Sequence, residues 1–149
     1  MDPKFRAWDK RFSEFVEDFF VSEDGKIYKK TKDTSYGFAI SRETSDKIIL
    51  MQSTGLKDKN GKEIFEGDVL EIQDIKMIVR FGSYNYIETS KSGNHTLGIM
   101  CDGLGFYVEC LNVAAPDRIS PFEPETLKES AVIGNIYENK DILEASDDQ

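Results

Sequence analysis

The chain has 149 residues, 39% hydrophobic and 11% aromatic, with a formal net charge of −9. That is enough apolar mass for one folded domain or two small ones, with a core that needs no staple. The acidic balance works against phosphate-backbone binding, which rests on Lys and Arg, and no stretch approaches the roughly 20 apolar residues of a membrane span.

The charge is unevenly placed. Residues 1–32 are near neutral, whereas the segment from Glu123 to the end carries −6 of the −9. Such a tail suits solubility or a basic partner. The opening M-D-P-K-F-R-A-W-D is charged and has no export-type apolar run. The expectation is a cytoplasmic protein with Cys101 and Cys110 reduced. Asn94-His95-Thr96 has the form of a glycosylation acceptor but no export signal to give it meaning.

In chain order, Phe5–Trp8 reads as a first strand. Phe12, Phe15, Val16, Phe19 and Phe20 fall at helical spacing. A helix over 12–18 feeding a strand at 19–21 fits, and strand throughout stays open. Asp24-Gly25 then turns Phe19–Val21 back into Lys26–Tyr28. Residues 31–46 read as turn-rich around a short apolar piece, Phe38–Ile40. Lys47–Gln52 reads as a buried strand.

Three glycines, Gly55, Gly61 and Gly67, follow at six-residue intervals. Asn60-Gly61 is a strong hairpin signal. Glu66-Gly67-Asp68 turns into Val69–Ile72, and Gln73-Asp74 turns into Met77–Phe81. Tyr84–Ile87 reads as an aromatic strand and Thr89–Thr96 as a polar loop. Leu97–Cys101, Asp102-Gly103 and Phe106–Leu111 read as a third hairpin. Residues 112–130 include Pro116, Pro121 and Pro124 and read as irregular, with one helical turn near Glu125–Lys128. Ala131–Tyr137 is the last strand. Asn139 is placed to cap a helix over Lys140–Ala145, with Ser146–Gln149 disordered. Short strands separated by glycine turns predict a β-barrel or sandwich.

The stretch L-M-Q-S-T-G-L-K-D-K-N-G-K-E-I-F-E-G-D-V-L resembles the signature of the YopX family of small phage and prophage proteins. Lys4–Asp9 (K-F-R-A-W-D) and Val132–Asn139 (V-I-G-N-I-Y-E-N) resemble its other two blocks, in order. Residues 10–45 and 83–130 carry no block that can be aligned with it, and Lys140 stands where the family commonly has proline. The resemblance implies a mainly β fold with an SH3-type β-barrel in the C-terminal half and a smaller N-terminal β or α+β region. It also implies homo-oligomeric assembly, and it supplies no activity, cofactor or site residue. The expected division is 1–52, then 53–137 as the barrel, then 138–149 as helix and tail.

The chemistry-bearing residues give weak patterns. With Gly61 at the sixth position of a calcium loop, Leu56 and Gly67 would fall where ligands are required, so the segment reads as a turn. The three glycines form no phosphate-binding sequence. If Asp102-Gly103 were a two-residue turn, His95, the single histidine, would face Cys110 as a thiol–imidazole pair. The bland alternative is a loop histidine and a buried cysteine. The same ladder keeps Cys101 and Cys110 too far apart for a disulfide. Glu63, Glu66, Asp68 and Glu71 read as edge-solubilising charge. Tyr84, Tyr86, Phe106 and Tyr107 could stack bases, but only Arg80 and Lys91 are nearby as cations, which favours packing.

The sequence therefore points to a non-catalytic interaction module with no cofactor, whose partner is its own copy or a host protein. No membrane partner is expected, and nucleic acid is disfavoured. One competing reading is an acidic decoy that occupies a nucleic-acid-binding protein through the C-terminal charge. A more remote one is a thiol enzyme using Cys110 and His95.

Overall fold

The computed structural model describes residues 4–43, 46–113 and 117–147. Among the described residues the fold is mainly β, with two short helices. Two compact units divide the chain. One runs from Arg6 to Met51, and the other from Gln52 onward together with the first residues through Phe5.

The Arg6–Met51 unit holds β1 (Phe5–Asp9), β2 (Glu14–Phe15), β3 (Phe19–Val21), β4 (Ile27–Thr34), β5 (Gly37–Arg42) and the start of β6 (Ile48–Lys57). No helix forms over 12–18, which corrects one of the two readings of that segment. Ser13 and Asp18 have φ of 51° and 52°, a left-handed conformation that no α-helix tolerates. The chain doubles back instead, pairing Trp8 with Phe15, and their rings meet edge to face at 4.9 Å. The helical spacing of the phenylalanines marked no single buried face, since Phe12 and Phe20 are both exposed.

Asp9 steadies the turn, accepting from the Arg11 backbone N–H at 2.9 Å and from its guanidinium at 3.0 and 3.1 Å. Arg11 hydrogen-bonded beside it holds the Asp9 carboxyl below its ordinary value, outweighing desolvation. Asp24-Gly25 makes the expected hairpin, pairing Phe20 with Tyr28. Residues 31–42 are more regular than their turn-rich composition suggested, because β4 and β5 pair from Tyr28↔Arg42 to Thr34↔Gly37. Thr44 and Ser45, within the segment read as turn-rich, lie outside the described residues. Of the Lys47–Gln52 run, only Met51 is fully buried.

The larger unit holds β7 (Glu63–Phe65), β8 (Asp68–Ile72), β9 (Ile75–Ser92), β10 (His95–Cys110), β11 (Ile119–Pro121), α1 (Pro124–Leu127), β12 (Ala131–Asn135) and α2 (Lys140–Asp147). Its five-stranded antiparallel sheet runs β11-β10-β9-β8-β12. Gln73-Asp74 joins β8 to β9 with φ of 49° and 66°, the mirror-image turn whose twist suits adjacent strands.

The sheet is buried on both faces at its centre. Leu70, Met77, Val79 and Val108 pack on one face with Leu127 of α1. Val69 and Ile78 pack on the other, where Ile142 and Leu143 of α2 cover them. Double coverage explains the unbroken Met77-Ile78-Val79 run, where a half-exposed strand would alternate. Burying each of these side chains contributes roughly 1.5–3 kcal/mol.

Three further expectations change here. Residues 112–130 are not wholly irregular, because β11 pairs with β10 from Tyr107↔Pro121 to Glu109↔Ile119; Pro116 lies outside the described residues. Helix α2 extends through Asp147, so Ser146 and Asp147 are helical, while Asp148 and Gln149 lie outside the described residues. The Asn139 side chain turns backward, its Oδ1 accepting from the Asn135 N–H at 3.1 Å. Among the described residues, no helix is long and apolar enough to cross a membrane.

Candidate functional site

The glycine-spaced signature is a structural joint. Asp58 is 6% exposed. Its Oδ1 accepts from the N–H groups of Asn60 and Lys62 at 2.9 and 2.8 Å. Its Oδ2 accepts from the Val132 N–H at 2.8 Å. The Lys59 N–H donates to the Ser130 carbonyl at 2.9 Å, which ties the same turn to the start of β12. Burial alone would raise the pKa of Asp58; the three backbone N–H bonds outweigh it and hold the carboxyl below the ordinary range. Both of its oxygens are thus engaged by the chain itself, in agreement with the turn reading. Among the described residues, no group of three or more His, Cys, Asp or Glu is arranged to hold a metal.

Within the larger unit, Lys4 at the start of the first block and the last block both bond to the signature. The Ser53 N–H donates to the Lys4 carbonyl at 2.7 Å, and the Lys4 Nζ stands 3.4 Å from the Glu63 carboxylate. The Ile136 N–H donates to the Gly67 carbonyl at 3.0 Å. Asn135 closes the last block on itself, its Oδ1 accepting from the N–H groups of Tyr137 and Glu138 at 2.9 and 2.8 Å. A Cβ on Gly134 would run into the Asn139 side chain, so that position admits only glycine without rearrangement.

The four acids of the signature sit in different settings. Glu63 faces Lys4. Asp68 is buried and accepts from the Phe65 N–H at 2.8 Å. Glu71 sits in β8 opposite Lys76 and Ala131. Glu66 lies between β7 and β8, its N–H donating to the Gln52 carbonyl at 2.9 Å.

The third hairpin expected at Asp102-Gly103 is absent. β10 runs unbroken from His95 to Cys110, with Asp102 opposite Asn85 and Gly103 opposite Tyr84. The reversal lies at Gly93-Asn94, between Ser92 and His95, so Thr89–Ser92 belong to β9 rather than to a polar loop. The thiol–imidazole pair fails with it. His95 opposes Ser92 at one end of β10, and Cys110 opposes Met77 at the other. Cys110 is buried, and desolvation, then the charges of Asp117 and Glu109, push its thiol pKa up. Both cysteines are free and lie on the same strand.

The aromatic residues mostly pack on one another. Tyr84 stacks on Tyr107 at 4.7 Å and covers Gly103, where a side chain would collide with its ring. Phe106 joins the core beside Phe81 and Phe122. Arg80 bonds Glu109 at 3.3 Å rather than standing open beside the tyrosines.

Among the described residues of the larger unit, two features stand open to a partner. One is an apolar cleft of about 280 Å³, lined by Met77, Val108, Cys110, Pro121 and Leu127. The other is the outer half of the β9–β10 hairpin. The ladder from β8 ends at Ile78 and that from β11 ends at Tyr107. Farther out, Gly82 opposes Gly105, with φ of 148° and 132°. Beyond them a two-stranded ribbon, residues 83–104, carries the exposed side chains of Leu97, Ile99, Met100 and Leu104. Sequence reasoning missed this ribbon. The available signal was Gly93-Asn94, a two-residue turn dipeptide, against the equally turn-like Asp102-Gly103.

A family model described as YopX protein matches residues 4–144. Among solved structures, the chain is similar to protein EF1440 from Enterococcus faecalis. That match has 24% identity and a TM-score of 0.48, covering 96% of this chain and 99% of that one. No curated protein matches.

Proposed function

The chain belongs to the YopX family, and from that premise we propose that it is a non-catalytic protein-interaction module, acting by self-assembly or by capture of a host protein in the bacterial cytoplasm. One observation carries the reading. Leu104 is 84% exposed and Met100 66% exposed on a ribbon that stands outside the core. Exposed apolar side chains gathered on one projecting element are a common mark of an association surface. In this reading residues 53–137 form an SH3-type barrel, supported by the β8-β9-β10 meander with β11 and β12 at its edges. Such barrels present loops and faces to partners, and the fold alone does not choose the partner.

The test combines light scattering on the purified protein with affinity capture from a bacterial host. The expected result is a stable oligomer, or a host protein retained specifically. A chain that stays monomeric and retains nothing overturns the reading.

A further inference from the structure

The ribbon formed by residues 83–104 has outer edges that pair with no other strand among the described residues. A lone two-stranded ribbon is marginal in water, so its covering matters. Opposed residues of an antiparallel pair share a face. The register therefore puts Ile87, Lys91, Met100, Asp102 and Leu104 on one face, and Glu88, Leu97 and Ile99 on the other.

The charges decide what can cover it. Only Glu88, Lys91 and Asp102 are charged in this stretch, a net −1 of the chain's −9. A basic partner would be drawn to the rest of the molecule, and a nucleic acid would find a single cation. On the first face, Lys91 lies toward the tip and Asp102 toward the base. Asn85, opposite Asp102, lies six positions from Lys91 along β9, a separation of roughly 20 Å. The Asn85 amide, oriented to satisfy its neighbours, donates to Asp102 Oδ1 at 2.6 Å and holds that carboxylate in place. Midway lie Ile87, Met100 and Gly98, the last with no side chain to hold a second surface away.

We propose that this face packs against the same face of a second copy, the two ribbons antiparallel about a two-fold axis near Met100 and Gly98. That axis sets Lys91 of each copy against Asp102 of the other and brings the two Met100 side chains together. A two-fold contact requires such self-complementarity. The opposite face lacks it, because Glu88, its only charge, would meet its own mate near the axis. The ribbon face measures roughly 36 Å by 10 Å. The contact therefore buries on the order of 700 Å² over both copies, below the roughly 1,200 Å² at which stable specific interfaces start, and the association is weak and reversible with concentration.

This inference rests on the self-assembly half of the proposed function. Light scattering on the full chain, across a concentration series, tests it. The expected wild-type mass rises from one chain to two. The Met100→Ser, Leu104→Ser variant stays at one chain with unchanged thermal stability, whereas Leu97→Ser, Ile99→Ser on the opposite face associates as wild type. Lys91→Asp weakens association about tenfold, and adding Asp102→Lys restores it. If the Met100/Leu104 variant and the Lys91→Asp variant associate as wild type does, this face is not the interface, and self-assembly by another surface stands. If the wild type stays at one chain at every concentration, the inference falls together with self-assembly, leaving host-protein capture.

Discussion

Asp58 joins its own turn to β12 through one carboxylate, accepting from Asn60, Lys62 and the distant Val132. The loss of its acceptors would leave three backbone N–H groups unpaired, that of half-buried Val132 among them. Asp58→Ala is therefore expected to cost about 3 kcal/mol, read as a shift in the urea midpoint at constant slope. A loss well under about 1 kcal/mol would mean that water replaces the carboxylate. The cysteines make a second residue-scale case. Burial keeps the Cys110 thiol protonated at neutral pH, whereas Cys101 is only partly buried. A thiol probe on the native protein should label Cys101 first and reach Cys110 only after denaturant is added. Fast labelling of Cys110 would reopen the thiol-enzyme reading.

Turns decided how much of each element was legible. Asp24-Gly25 and Asn60-Gly61 turn where their dipeptides indicate, because glycine takes positive φ without a Cβ clash. Gln73-Asp74 makes the same kind of turn with two side chains in that region, at φ of 49° and 66°. Gln73→Asn with Asp74→Gly should relieve that strain and stabilise the protein by about 0.5–1 kcal/mol. A thermal melt showing no gain would mean that the strain is negligible. The Asp74 carbonyl, which accepts from the Asn112 amide at 2.7 Å, is kept in this variant. Asp102-Gly103 is the counterexample. The same dipeptide sits inside an unbroken strand, where Gly103 makes room for the Tyr84 ring across the ladder. Local turn chemistry cannot see a ring that arrives from the opposite strand.

Across the whole molecule, acid should be the effective denaturant. The carboxyls of Asp9, Asp24 and Asp58 are held below their ordinary value of 3.8. For Asp9 the Arg11 side chain is the main cause, for Asp24 the Ser22 hydroxyl, and for Asp58 three backbone N–H bonds that outweigh burial. A carboxyl whose folded pKa is depressed adds stability above its unfolded pKa and loses it as pH falls through the folded value. Stability should hold flat above about pH 5 and fall progressively below about pH 4. Asp58→Asn should flatten part of that fall, and an identical acid profile in the variant would remove Asp58 from the account.

The sequence by itself determined the β class, most of the turns, the family and several of the short strands before Ile72, because alternation and glycine chemistry are local properties. It determined the acidic balance and the calcium-loop mismatch for the same reason. Only the tertiary structure decided the rest. Ser13 and Asp18 replaced a helix with a hairpin because Trp8 was there for Phe15 to pair with. β9 and β10 ran on as one long hairpin because cross-strand neighbours, including the Tyr84 ring over Gly103, outweighed a turn-forming dipeptide. That register separated His95 from Cys110 and placed Lys91, Met100 and Asp102 on one open face. Which residues share a face depends on pairing between strands, and pairing is a long-range choice that a local pattern does not encode.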